Sequence, residues 1–448
     1  MTTATKPIQL SPKDVLDVLS RHLLVDGYHV VMDLDKSRGS YLYDARSERM
    51  LLDFFTNFAT QPVGYNHPKM ADPEFREKLA QAALTKPANS DIYTAPYAEF
   101  VETFATLAIP QSHTGHLFFV EGGSAAVENA LKTAFDWKIR KNFARGLREE
   151  KGKQILHFRN AFHGRTGYAI SLTNTADPRK TQHYPTFDWP RLTCPSLAFP
   201  TTESVLRDVA AAEEQVEREI RRACADHPAD IAALILEPIQ GEGGDNHFRP
   251  EFFRRLRSLA DELEFLLIFD EVQTGVGLTG SFWCWQQLAV EPDLFCFGKK
   301  TQVCGFAANR RIDDVDNVFK VSSRINSTWG GNLVDMVRCA RYLQIIVEDN
   351  LVENARTVGE YLLGRLRELT EEFSGVVTNV RGRGLFTALD LPDKEIRDRA
   401  LAACLENGLI ALASGQSAIR FRPPLNLSRE EADEGTRKLR RAIAAAKS

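Results

Sequence analysis

The sequence predicts an α/β protein: a large domain with a mostly parallel sheet between helices, plus a smaller α+β domain. Three observations carry that prediction. The apolar runs 231–236, 265–269 and 294–297 are short and bounded by polar residues or glycine. Between the first two, Phe252, Phe253, Leu256 and Leu259 recur at helical spacing within 250–263. Such alternation is the pattern of parallel strands buried on both faces. After about Gly331 the texture changes to long amphipathic helices followed by a glycine-bearing, strand-rich stretch.

In chain order, 13–22 predicts a helix. Tyr41, Tyr43 and then 50–55 bracket a turn at 45–48, a meander pattern. The runs 116–120 and 154–158 fit further strands of the parallel sheet. Helices follow at 333–348 and 352–372, then strands around Gly382, Gly384 and 419–421, and a closing helix from Arg429. The expected domains are 1–60, packing with the small domain, 61–330 as the large domain, and 331–448 as the small one.

The 448 residues exceed one small core, since ~150 residues per domain suggests two or three units. A formal net charge of -4 leaves no broad basic face, so nucleic acid is not an expected partner. The seven cysteines are scattered and form no C-x-x-C pair, which reads as reduced thiols rather than a disulfide frame or zinc site. The opening stretch 1–12 is polar and lacks the apolar core of an export signal. No run approaches the ~20 apolar residues of a membrane span. The expected compartment is the cytoplasm.

In an open parallel sheet, ligands sit beyond the carboxyl ends of the strands. Asp270 ends the run Leu266-Leu267-Ile268-Phe269, and Lys299 follows Phe295-Cys296-Phe297-Gly298. One crossover separates them, so both can face the same crevice. An acid and an amine placed so suit pyridoxal 5'-phosphate (PLP): the lysine forms a Schiff base and the aspartate pairs with the pyridine nitrogen. Either residue alone reads better as a strand-end cap or a solvated lysine. Lys300 stays open as the competing anchor.

Glu121-Gly122-Gly123-Ser124 stands between a strand and the helix-forming stretch 125–135, where backbone N–H groups and a hydroxyl can grip a phosphate. A plain turn capped by Ser124 reads equally well. The absence of G-x-G-x-x-G speaks against a nicotinamide dehydrogenase. Phe162-His163-Gly164-Arg165 offers a ring for stacking and a cation for a carboxylate, with His163 assigned to structure. Glu237-Pro238-Ile239-Gln240-Gly241-Glu242-Gly243-Gly244 suits close backbone approach, and Arg420-Phe421-Arg422 places an arginine in the small domain. The bland readings are a core phenylalanine, a surface turn and an exposed edge arginine.

Together these motifs resemble the class III (ω-) aminotransferases of PLP fold type I, over nearly the whole chain. The most specific element is Asp270-Glu271-Val272-Gln273-Thr274-Gly275 followed by Gly298-Lys299. The family's lysine falls six residues after the acid of a Pro-Asp pair, and Pro292-Asp293 precede Lys299 by that interval, which selects Lys299 over Lys300. The resemblance implies a seven-stranded sheet, a homodimer and bound PLP. Stretches such as Lys86-Pro87-Ala88-Asn89-Ser90-Asp91 are most similar to the branch that moves the ε-amino group of L-lysine to 2-oxoglutarate. That would give 2-aminoadipate 6-semialdehyde and L-glutamate by a ping-pong route.

Carried over residue by residue, the resemblance implies that Gly123 and Ser124 hold the phosphate and Phe162 stacks on the ring. Gln273 would lie near the ring hydroxyl, and Thr328 would reach the phosphate of the neighbouring subunit. Arg165 and Arg420 would bind substrate carboxylates, with Glu242 paired to Arg420 either as a movable partner or as a fixed one. Ser124 departs mildly from the family pattern, leaving the backbone contact intact, and the segment 57–64 matches it less well, which bears on substrate identity. The rival readings are an ω-aminotransferase acting on ornithine or 4-aminobutyrate, and a PLP aminomutase.

Overall fold

Seven short strands form the central sheet of this computed structural model, which describes residues 8–447. Numbered along the chain, a first hairpin consists of β1 (Tyr41–Asp44) and β2 (Arg49–Asp53). The central sheet contains β3 (Leu117–Val120), β4 (Gln154–Phe158), β5 (Arg191–Leu192), β6 (Ile231–Leu236), β7 (Leu266–Asp270), β8 (Leu294–Phe297) and β9 (Cys304–Ala308). Their spatial order is β3-β9-β8-β7-β6-β4-β5. The pairs from β5 through β8 are parallel, and β9 runs antiparallel to both β8 and β3. Every strand of this sheet coincides with a predicted run except β5 and β9, whose short or small-residue runs carry little apolar signal.

The sheet is sandwiched because its strands have no polar face. Along β7, Leu267 and Phe269 join one hydrophobic core while Leu266 and Ile268 join another on the opposite face. Side chains alternate across a strand, so apolar residues at every position require cover on both sides. Part of that cover is the helix Pro250–Leu263, which buries Phe252, Phe253, Leu256, Leu259 and Ala260 and links β6 to β7. Pro250 at its start needs no N–H partner, and Glu264 ends it in a left-handed conformation.

The C-terminal part carries β10 (Thr378–Arg383), β11 (Phe386–Asp390), β12 (Leu409–Ile410), β13 (Leu412–Ser414) and β14 (Ala418–Phe421). An antiparallel sheet runs β10-β11-β14-β13, and β12 instead pairs in parallel with β2. The early hairpin is thereby tied to the end of the chain. The predicted helix 13–22 shrinks to Val15–Ser20: none of its residues is buried, and the Asp14 side chain does not cap its start. Of the polar opening stretch, residues 1–7 lie outside the described residues. Among the described residues no helix is long and apolar enough to cross a membrane. All seven cysteines are free thiols.

Candidate active site

Asp270 closes β7, and Gly298-Lys299 follow β8 directly. The two strands are hydrogen-bonded neighbours with Asp270 opposite Cys296. Acid and amine therefore leave the same edge of the sheet on adjacent strands. Lys299 has φ 53°, a left-handed value that costs a non-glycine residue about 1–3 kcal/mol and tends to be kept at functional positions. Burial brings its amine down to a pKa of about 8; the Arg420 guanidinium adds to the fall, and Asp270 and Glu237 oppose it.

The two candidate lysines differ in what their amines do. Lys300 Nζ is buried and donates to the main-chain carbonyl of Gln273 at 2.7 Å. Among the described residues no hydrogen bond occupies Lys299 Nζ. Asp293, whose spacing marked Lys299, is itself a fold residue. Its carboxylate accepts from Leu267 N at 2.7 Å and pairs with Arg257 at 2.9 Å.

The Asp270 carboxylate is held from two directions. Oδ1 accepts from Val272 N at 3.1 Å, and Oδ2 lies 2.8 Å from His163 Nδ1. His163, which sequence reasoning left outside the chemistry, is thus a positioning residue for this acid. Phe162 beside it is half-buried, and its N–H donates to Glu237 Oε1 at 2.9 Å. Glu237 Oε2 accepts from Gly241 N at 3.0 Å. Complete burial pushes the Glu237 carboxyl up to about 7, against the influence of His163. Glu237 directly follows β6, as Asp270 closes β7, so its strand-end position was a signal available in the sequence.

A cluster of charge lies on the side of β14. Arg420 is 2% exposed, on a strand flanked by β11 and β13, so it is no edge residue. Its Nη2 donates to Glu242 Oε2 at 2.6 Å, and its buried Nε has no hydrogen-bond partner among the described residues. Gln273 Oε1 accepts from Arg422 Nε at 3.0 Å and from Arg420 Nη1 at 3.4 Å. Those donors orient the amide, and its NH2 has no hydrogen bond among the described residues. Arg422 also pairs with Asp245 and lies 3.3 Å over the Phe386 ring. Its spacing two residues from Arg420 could have flagged it. Glu242 has a second cation, Lys180, which no sequence pattern marked. A Cβ on Gly241 would meet Gln273 Oε1 at 2.3 Å, the close approach that this loop requires.

The remaining predicted residues surround this centre. Gly122, at φ 93°, turns the chain into the helix Gly123–Ala144. The Ser124 hydroxyl stands 2.6 Å from Thr166 Oγ1 and accepts from Thr166 N at 3.3 Å, so a phosphate there would rely chiefly on backbone N–H groups. Arg165 is exposed and has no ion pair among the described residues. Thr328 sits apart on an exposed loop packed against the chain at 89–90 through Asn89 N and the Ser90 hydroxyl. At the start of the departing segment 57–64, positive φ runs over four successive residues from Thr56 to Ala59, and Thr56 Oγ1 donates to Arg422 O at 2.6 Å. It lies against the arginine cluster.

These residues fit PLP. A helix start offers N–H groups, a buried carboxylate lies one strand from an amine of lowered pKa, and the amide three residues after that acid is held by two arginines. The comparisons agree with that fit. The profile described as aminotransferase class-III matches residues 25–443. The L-lysine-epsilon aminotransferase of Mycobacterium tuberculosis strain H37Rv is 52% identical over 97% of this chain and 96% of that protein. Its namesake from Amycolatopsis lactamdurans is 48% identical over 99% and 98%. A solved structure of lysine aminotransferase from M. tuberculosis in the internal aldimine form superposes with a TM-score of 0.95 at 51% identity, covering 98% of this chain and 100% of that one. The chain is a PLP-dependent enzyme of fold type I and belongs to the class-III aminotransferase family.

Proposed function

We propose that the enzyme transfers the ε-amino group of L-lysine to 2-oxoglutarate, yielding 2-aminoadipate 6-semialdehyde and L-glutamate. The observation that carries this reading is the Arg420–Glu242 ion pair beside Lys299. Two different substrates must share one pocket. Lysine presents a terminal amine with its carboxylate far away, whereas 2-oxoglutarate places a carboxylate beside the reacting carbon. An arginine that can be neutralised by an internal carboxylate, or released from it, serves both. Likeness to lysine ε-aminotransferases over nearly the full chain supports lysine as the donor.

When bound, PLP acts as an electron sink and stores the amino group between the half-reactions. Lys299 anchors it and moves a proton at the substrate carbon, a task suited by an amine whose pKa lies near 8. Asp270, aimed by His163, holds a proton on the ring nitrogen by charge pairing. Gly123 and the first turn of its helix hold the phosphate, aided by the Ser124 hydroxyl. Phe162 would cover the ring, and the NH2 of Gln273 would be the donor for the ring hydroxyl. Arg165 takes the remote carboxylate and Arg420 the near one. With lysine bound, Glu242 neutralises Arg420, because an unpaired buried guanidinium is costly and would draw lysine's own α-carboxylate.

The working unit in this reading is a cytoplasmic homodimer, with Thr328 reaching the phosphate of the neighbouring subunit. Exposed Ile92, Tyr93 and Trp329 near Thr328 are the kind of surface that a second copy would cover. An amino-donor panel with 2-oxoglutarate as acceptor tests the function. Lysine should lead it, and preference for ornithine or 4-aminobutyrate would overturn the substrate. Turnover without any 2-oxo acid would point to an aminomutase.

A further inference from the structure

Glu242 holds two cations at once. Its Oε2 accepts from Arg420 and its Oε1 pairs with Lys180, whose Nζ has no other hydrogen bond among the described residues. Lys180 ends the short turn Pro178–Lys180, where the Asp177 carboxylate accepts from Arg179 N. Arg420 is nearly inaccessible, whereas the Glu242 and Lys180 side chains are 23% and 21% exposed. The pair therefore spans from the interior to the wall of a neighbouring cavity. That cavity has a volume of about 900 Å³, and Lys180, Glu242, Arg397, Ser414 and Gln416 are among its lining residues.

The main chain of Glu242 is pinned. Its carbonyl accepts from Gly415 N at 3.0 Å, and the preceding Gly241 carbonyl accepts from the Ser414 hydroxyl at 2.6 Å. Any retreat from Arg420 must then be a rotation of the side chain alone, and the cavity gives it room on the Lys180 side. Burial pushes the Glu242 carboxyl up, yet Arg420 and Lys180 together hold it below its usual range. It stays charged, so on leaving Arg420 it needs another cation, since an unpaired charge in a half-buried place is costly. The approach to Arg420 is also prepared: its Nε is buried and unpartnered beside the Nη2 that Glu242 occupies. An incoming carboxylate can take both nitrogens once Glu242 yields one.

We infer that Lys180 is a specificity-determining residue: it is the cation that keeps Glu242 paired when a substrate carboxylate takes Arg420. This rests on the reading of Glu242 as a movable partner. Lys180 lowers the cost of the open arrangement and so favours the half-reaction with glutamate or 2-oxoglutarate over that with lysine. Without it, Glu242 is left with Arg420 alone and holds it more firmly.

The test compares holoenzymes Lys180→Met, Lys180→Arg, Glu242→Ala and the Lys180→Met/Glu242→Ala double variant. Stopped-flow spectroscopy gives the ratio of glutamate to lysine half-reaction efficiency, and titration with the unreactive dicarboxylate glutarate gives binding directly. Lys180→Met should lower the ratio about tenfold (~1.4 kcal/mol) and weaken glutarate binding to match. Lys180→Arg should restore both, and the double variant should behave as Glu242→Ala alone, whose ratio should rise. If Glu242→Ala raises the ratio while Lys180→Met leaves it unmoved, the gate stands and the role of Lys180 is overturned. If Glu242→Ala leaves the ratio unmoved, the movable-partner reading itself fails. A ratio shift by Lys180→Met that persists without Glu242 also overturns the proposal.

Discussion

His163 Nδ1 stands 2.8 Å from Asp270 Oδ2, with both side chains buried at the carboxyl edge of the sheet. An ionised carboxylate only accepts, so Nδ1 carries the proton and the imidazole aims the acid. Asp270→Asn keeps a similar shape but cannot hold a ring nitrogen protonated by charge pairing. PLP should still bind, while single-turnover rates should fall well beyond tenfold. Rates within a factor of about ten (~1.4 kcal/mol) of the native enzyme would show that Asp270 is not the ring partner.

The lowered pKa of Lys299 predicts the pH dependence of cofactor capture. Only an unprotonated amine attacks an aldehyde, and burial shifts the titration from 10.5 down to about 8. The rate at which apoenzyme captures PLP, followed by visible absorbance, should rise with pH and level off above about 8. A rate still climbing towards pH 10 would mean an unperturbed amine.

Glu242→Ala exposes Arg420 to either carboxylate. The lysine half-reaction should slow, and α-amine transfer from glutamate should rise. Stopped-flow measurement of each half-reaction checks this, and equal losses in the two would mark Glu242 as a fixed partner.

Thr328 has no link to Asp270 or Lys299 within its own chain among the described residues, yet it stands on an exposed loop beside exposed Trp329. If it completes a neighbour's phosphate site, activity requires a two-fold dimer. Sedimentation and assay at matched concentrations should show activity lost with dissociation. Full specific activity from a demonstrated monomer would refute the shared site.

Strands buried on both faces were legible because their apolar runs are uninterrupted. The ends of β6 and β8 and the helix Pro250–Leu263 coincide with their sequence signals. Asp270 and Lys299 were legible because a charge directly after such a run must lie at the sheet edge. β9 was not, since Cys304-Gly305-Phe306-Ala307-Ala308 holds mostly small residues and has no turn signal of its own. The contact of His163 with Asp270 is not legible, because nothing in a sequence says which strand end an imidazole will face. Arg422 had a local signal in its two-residue spacing from Arg420, but Lys180 had none, because its partner Glu242 stands 62 residues away. Long-range pairing of charges is a property of the fold, and local pattern carries none of it.

Lys299, rather than its neighbour Lys300, is the proposed carrier of the cofactor. Lys300 Nζ is committed to the Gln273 carbonyl, and the Lys299 amine is not committed to any hydrogen bond among the described residues. Borohydride reduction of the holoenzyme followed by peptide mapping reads the anchor directly. The modification should fall on Lys299 in the native enzyme, persist in Lys300→Ala, and vanish together with turnover in Lys299→Ala. A modified Lys300 in the native enzyme would overturn that assignment.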